Sequence, residues 1–353
     1  MNLGGTMKAK KLAALVLAGA LCMSAFTGCG IDANETIATL GEQEISAGLA
    51  NFMIKYQKAA YDDVYIAYYG EEVWDMTVDE EGTTFADSFK GSVMESIHEL
   101  YTLKNHMSDY DVTLTDDEKK AIEEAAAAFL NDNSEEAIKE LGATEEYVEE
   151  MLTLYTISYK MQDAIIADVD TEVSDEEANM RGISYITFNT DSYYDSSYNK
   201  VEYTEDEIAE FKATAEAVVA DLATMTLEDA AEKHDCTVKT DAYAKDDEGF
   251  DETLLAAMDE LAEGEVSDVI TTDTALYIVR IDSDLDEEAT AENIESIIAE
   301  RENALYEEVV TGWQEDDGWT VNEKVLAKVD FHNILTLEDP AATETESVES
   351  TEK

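Results

Sequence analysis

The chain has 353 residues and a mass of 39.0 kDa, more than one small core needs, which points to two or three folded units. Its 22 Lys and Arg face 84 Asp and Glu, a formal charge of −62; such a field repels phosphate and argues against nucleic acid, or an anionic lipid surface, as a direct partner of the folded surface. A hydrophobic fraction of 45% excludes a wholly disordered chain, and four His and three Cys are too few for most zinc or iron–sulfur centres, so no cofactor or metal is expected.

Lys8, Lys10 and Lys11 precede an apolar run from Leu12 to Phe26, shorter than the roughly 20 residues of a spanning helix. The run ends in Phe26-Thr27-Gly28-Cys29-Gly30, which resembles a bacterial lipobox with Phe26 where Leu is usual. That resemblance implies a lipoprotein signal peptide over residues 1–28, lipid on Cys29, a tether over 29–35 and a location outside the cytoplasm at the cell membrane. A plain secretory signal, with Cys29 a stray thiol, is the alternative. Cys22 leaves with the leader in either case; with Cys29 lipidated only Cys236 remains, and no intrachain disulfide can form.

Beyond the tether, Thr36–Ile45 alternates and then turns, which reads as a small strand or hairpin, and Ser46 is placed to cap a helix bearing Leu49, Phe52, Met53 and Tyr56. Phe85, Phe89, Val93, Ile97 and Leu100 recur at helical spacing. Thr115-Asp116-Asp117-Glu118 is a capping box ahead of Ile122 and Phe129. Gly142-Ala143-Thr144 separates a short helix from a long one striped with Leu154, Ile157, Met161 and Ile165. Residues 45–168 are therefore expected to be almost entirely helical.

After Val173-Ser174-Asp175-Glu176-Glu177 the pattern changes. Ile183–Phe188 is β-branched and aromatic, a strand; residues 191–203 read as a polar loop. A helix with Ile208, Phe211, Ala215, Val218 and Leu222 follows, then a short helix over Leu227–His234, a strand over Cys236–Tyr243, a helix marked by Phe250, Leu254, Met258 and Leu261, and closing strands at Val266–Thr271 and Ala275–Ile281. This is a β-α-α-β-α-β-β unit. A lone long helix with Ile294, Ile297, Ile298, Leu305 and Val309 cannot bury its stripe by itself and is expected to return to the N-terminal helical unit. The acidic stretch from Glu338 has the composition of a disordered tail.

Three stretches carry a family resemblance. Ile37–Ser46 is similar to the opening strand and helix start of PrsA/SurA-type extracytoplasmic foldases, Thr113–Glu118 with Leu141–Thr144 and Val173–Glu177 to their helix-start punctuation, and Leu261-Ala262-Glu263-Gly264-Glu265-Val266-Ser267 to the step before the last strands of parvulin prolyl isomerases. The resemblance implies an α+β chain: a helical chaperone part over 36–175, a parvulin-like domain inserted over 178–286, a C-terminal segment over 291–335 that completes the chaperone part, and a tail over 338–353. It implies unfolded or nascent exported polypeptides as partners, the membrane through the N-terminal lipid, no nucleic acid, and room for a homodimer.

The expected site departs from the family. The two strand histidines usual in parvulins are replaced by Tyr185 and Tyr277, and counting back from Gly264 puts the acidic loop position on Asp241, without the usual glycines around it. The same count assigns the apolar proline cup to Phe250 and Leu254, with Met258 one turn further on. As plain sequence, Tyr185 and Tyr277 are equally strand aromatics, Phe250, Leu254 and Met258 helix core, and Asp241 a solvated carboxylate. Prolyl isomerisation needs no nucleophile, only binding of the twisted imide over a rotation barrier of about 20 kcal/mol. Tyrosines can donate hydrogen bonds to it but do not titrate as imidazole does. The expected function is a tethered foldase with weak or lost isomerase activity; a non-catalytic binding or structural lipoprotein on the same scaffold is the alternative.

Overall fold

The computed structural model describes residues 21–23, 31–245, 247 and 249–337. Cys29, most of the apolar leader and the acidic tail from Glu338 lie outside the described residues. The described chain divides into two compact units, one from Met1–Asp168 with Asn303–Lys353, the other from Val169–Glu302. It is α+β, as expected.

In the first unit, strand β1 (Leu21–Met23) precedes a hairpin of β2 (Thr36–Leu40) and β3 (Gln43–Ser46). The hairpin turns at Gly41, where φ is +60°, a conformation that side chains rarely adopt. Ser46 then caps α1 (Ala47–Tyr69), its hydroxyl accepting from the Leu49 amide. Thr84 caps α2 (Phe85–Asn105), and the Thr115–Glu118 capping box opens α3 (Asp116–Asp132). Gly142, left-handed at φ +67°, ends α4 (Glu135–Leu141), and Thr144 starts α5 (Glu145–Ile165). Residues 70–84 break the expected helical continuity. Gly70 turns the chain out of α1, a short 3-10 turn at Val73–Asp75 buries Val73 and Trp74, and Thr77 bridges Thr84. The apolar side chains of a segment this short are met by a turn, not by another helix.

A buried charge pair sits inside this unit. Lys58 and Asp62, one helical turn apart on α1, are 2% and 0% exposed and bond at 2.7 Å. Asp62 also accepts from Trp74 Nε1 (2.8 Å) and the Leu335 amide (3.1 Å), and Lys58 donates to the Asn333 carbonyl (3.1 Å). Burial pushes the Lys58 ammonium below the ordinary lysine range, opposed by the charge of Asp62.

The second unit opens with α6 (Asp175–Ala178), capped reciprocally by Ser174 and Glu177, and continues into β4 (Arg181–Asn189). The 191–203 stretch, expected to be loop, is instead a hairpin of β5 (Ser192–Tyr194) and β6 (Lys200–Glu202). Its alternation is hidden by Asp, Ser and Asn, and the turn is held by Asp195 Oδ1, which accepts from the Ser197 and Asn199 amides. Then come α7 (Glu205–Asp221), α8 (Leu227–Lys233), β7 (Lys239–Tyr243), α9 (Glu252–Asp259), β8 (Ile270–Thr271) and β9 (Ala275–Ser283). The sheet order is β7-β4-β9-β8, and every paired neighbour is antiparallel.

The expected strand over Val266–Thr271 is ladder only at its end. Ser267 Oγ takes the Val279 amide that a backbone carbonyl would otherwise accept, and only a single bridge joins Val266 to Arg280. Gly264, at φ +82°, brings its amide to the Ile281 carbonyl at 2.7 Å.

A long helix α10 (Glu287–Gln314) follows, then β10 (Trp319–Val321), α11 (Glu323–Leu326) and β11 (Leu335–Leu337). Within the first unit, Leu305, Val309, Val310 and Trp313 of α10 pack against Leu103, Ile157, Met161 and Ile165. β10 pairs with β2, Trp319 opposite Leu40 and Val321 opposite Ala38, so a C-terminal strand completes the sheet of the N-terminal hairpin. His98 on α2 and His106 at its C-terminal cap each stack on a C-terminal tryptophan: His98 on Trp319 (4.5 Å) and His106 on Trp313 (4.1 Å). Among the described residues no helix is long and apolar enough to cross a membrane.

Candidate functional site

Strand alternation decides which side chains meet. β4 and β9 pair with Tyr185 opposite Val279 and Thr187 opposite Tyr277, which places Tyr185 and Tyr277 diagonally on one face of the sheet. Their ring centroids are 6.3 Å apart at 44°. Asp241 lies opposite Ile183 on the neighbouring β7 and so belongs to that face too. It is exposed, and its Oδ1 accepts from the Ala242 amide. The Tyr185 phenol is pushed above its ordinary pKa by burial first, then by the charge of Asp241 and the neighbouring Tyr277. It stays a neutral hydroxyl donor throughout the physiological range.

α9 covers this face. Asp251 caps it, its carboxylate accepting from the Thr253 and Leu254 amides, so Phe250 lies just before the helix and Leu261 beyond it. Phe250, Leu254 and Met258 pack in one cluster with Ile183, Tyr185, Tyr277 and Val279. Leu254 and Met258 are only 2% and 0% exposed, and Phe250 is half-buried. Of the three residues assigned to a proline cup, Phe250 alone offers surface to a ligand; the other two hold the floor from beneath. The five apolar and aromatic positions thus converge with Asp241 at the edge.

Two residues that the sequence reading did not single out organise the face. Arg181, on β4, donates to Tyr243 Oη (2.8 Å), to the Met258 carbonyl (3.1 Å) and to the Leu261 carbonyl (2.7 Å), and pairs with Asp284. Tyr243 is completely buried beneath it. Arg181 therefore ties the C-terminal end of α9 to the sheet, where the negative end of the helix dipole favours a cation. The signal was compositional: the sequence holds three Arg, and all three form ion pairs in this unit, Arg181 with Asp284, Arg280 with Glu228 and Asp282, and Arg301 with Glu177.

The Asp282-x-Asp284-x-Asp286 string spaces its carboxylates like a calcium loop, yet each is committed elsewhere. Asp282 takes Arg280 and Ser184, Asp284 takes Arg181, and Asp286 accepts from the Glu288 and Ala289 amides at the start of α10. Among the described residues no cluster of three or more His, Cys, Asp or Glu is placed to hold a metal ion.

What remains is an aromatic face with two phenols and a carboxylate at its rim. It can bind an apolar ring and offer hydrogen bonds to a rotating carbonyl. It carries no imidazole.

The family model of the PPIC-type PPIASE domain matches residues 187–295, beginning two residues after Tyr185 and including Asp241, Phe250, Leu254, Met258 and Tyr277. No curated protein matches the chain. Among solved structures, the chain is similar to the foldase protein PrsA from Lactococcus lactis (13% identity, TM-score 0.33, covering 84% of this chain and 97% of that one). It is also similar to the peptidylprolyl isomerase PrsA from Bacillus cereus (14%, TM-score 0.30, 84% and 98%) and to a SurA-like chaperone structure from Campylobacter jejuni (12%, TM-score 0.30, 82% and 100%). The family match assigns a PPIC-type PPIASE domain to residues 187–295.

Proposed function

We propose that the chain is an exported, lipid-anchored foldase of the PrsA/SurA type, in which the first unit holds unfolded polypeptide and the parvulin-type domain isomerises prolyl bonds weakly or not at all. The observation that carries the reading is the pairing of Tyr185 and Tyr277 on one face beside Asp241, where the parvulin resemblance expects two histidines. The apolar part of a proline site is present; the titratable part is replaced by phenols, of which Tyr185 is held protonated. A site that only cups the ring and donates a hydrogen bond stabilises the twisted imide less than one matched to it throughout.

A protease-coupled proline assay on the full chain tests this. Turnover is expected at least about tenfold below that of a His-containing parvulin, equivalent to about 1.4 kcal/mol of barrier. Tyr185→His together with Tyr277→His should raise it. Parvulin-like turnover in the unmodified chain would overturn the degenerate-site reading.

The anchor is tested separately. Cys29→Ala is expected to leave export intact and to move the protein from the detergent phase to the aqueous phase on fractionation, because a leader of this length does not span and the lipid supplies the membrane affinity. A variant that stays in the detergent phase would show that the lipobox resemblance is coincidental.

A further inference from the structure

The end of α1 and the turn after it carry the densest exposed apolar surface of the first unit. Tyr61, Val64, Tyr68, Tyr69, Met76 and Val78 are each at least 45% exposed, Tyr68 as much as 81%. Helical spacing puts Tyr61, Val64 and Tyr68 along one stripe, and Met76 and Val78 lie in the segment that follows it. An exposed patch of this kind marks an interaction surface more often than chance.

This patch has a fixed base. Tyr61 stacks on Tyr65 (5.5 Å, 14°) and meets Phe89 edge-on, while Tyr65 meets Phe85 (5.1 Å) and the buried Trp74 (5.7 Å) edge-on. Rings so supported lose little freedom when a ligand lands on them.

Its charge is one-sided. Between Lys58 and Lys90 the sequence holds nine Asp or Glu and no Lys, Arg or His. The two flanking lysines are buried and committed, Lys58 to Asp62 and Lys90 to Asp87. Glu71, Glu72, Asp75, Glu80 and Glu81 are exposed in the segment that directly follows Tyr68 and Tyr69, and that segment carries no cation. Tyrosine faces attract ammonium and guanidinium groups, and the carboxylates reinforce the attraction. An anionic lipid surface or an acidic peptide would be repelled.

We propose that this surface, at the end of α1 and over residues 70–81, docks extended polypeptide segments in which Lys or Arg alternate with aromatic or branched apolar residues. The inference rests on the foldase reading and names the class of client segment that the first unit selects.

Fluorescence anisotropy tests it on the soluble chain from residue 29 onward, with Cys29→Ser. The probes are labelled 12-residue peptides alternating Lys and Arg with Tyr, Leu and Val, and the same peptides with Glu in place of each cation. The cationic peptide is expected to bind about tenfold or more tightly than the acidic one, with the preference shrinking in high salt as screening lengths fall. Val64→Ser with Tyr68→Ser and Tyr69→Ser, all at exposed positions, should weaken binding about tenfold with an unchanged circular dichroism spectrum. Glu71→Gln with Glu72→Gln and Asp75→Gln should erase the charge preference. Equal affinity for the two peptides, or full affinity in the serine variant, would overturn the proposal.

Suppression of aggregation of unrelated unfolded proteins separates the two readings. If the unmodified chain and the serine variant protect equally, the patch is not the docking surface and the foldase reading stands. If the unmodified chain neither binds nor protects, the foldase reading falls and the patch with it.

Discussion

Replacing Asp62 with Ala is expected to cost the first unit about 3–5 kcal/mol, because it strands the Lys58 ammonium in a core that water does not reach. Three further partners lose out at once: Trp74 Nε1 and the Leu335 amide lose their acceptor, and the Lys58–Asn333 contact loses the charge that fixed it. The measurement is urea unfolding followed by tryptophan fluorescence. All three tryptophans, Trp74, Trp313 and Trp319, belong to the first unit, so the signal reports that unit alone. A compensated variant, Lys58→Met with Asp62→Leu, should recover much of the loss, since a matched apolar pair is often as stable as a buried ion pair. A midpoint unchanged by Asp62→Ala would mean that water or another cation reaches the site.

The second large effect belongs to Arg181. Arg181→Met is expected to destabilise the second unit by about 3 kcal/mol, since it leaves the Met258 and Leu261 carbonyls and the buried Tyr243 hydroxyl without their shared donor. Asp284→Ala should cost under about 1 kcal/mol, because that carboxylate is largely exposed and its pair with Arg181 is screened. Thermal unfolding followed by far-ultraviolet circular dichroism gives both values. If the two substitutions cost the same, Arg181 acts through its ion pair and not through the helix end. Proline-peptide binding should weaken along with stability in Arg181→Met, because α9 backs the face formed by Tyr185 and Tyr277.

Local chemistry was legible where a side chain's partner lies a few residues away. The caps at Ser46, Thr115 and Thr144 and the left-handed Gly142 all stand where hydroxyl, carboxylate and glycine spacing put them. The β-branched aromatic runs at Ile183–Phe188 and Ala275–Ile281 were legible as strands, but their antiparallel pairing, which sets Tyr185 and Tyr277 on one face, joins segments about 90 residues apart and was not. Partners distant in sequence were not legible. Lys58 and Asp62 look like an ordinary exposed i,i+4 pair, and only Trp74, Asn333 and Leu335 closing over them make the pair a core element. The three alternating Asp of 282–286 imitate a calcium loop until Arg280, Arg181 and the start of α10 claim one each. Leu254 and Met258 read equally well as cup or as core. Burial, a property of the whole fold, separates them from Phe250.

The pairing of Trp319 with Leu40 sets the order in which the protein can mature. Closing that sheet joins positions about 280 residues apart along the chain, so the hairpin at Thr36–Ser46 gains its third strand only once the last segment is synthesised. The second unit is continuous from Val169 to Glu302 and carries no such debt to the C-terminus. It can reach its native state while the helices before it still lack their final strand. For that interval the core that α1 shares with Val325, Leu326, Val329, Phe331 and Leu335 is incomplete. A truncation between Glu302 and Trp319 would therefore leave a complete second unit attached to a helical part that cannot close.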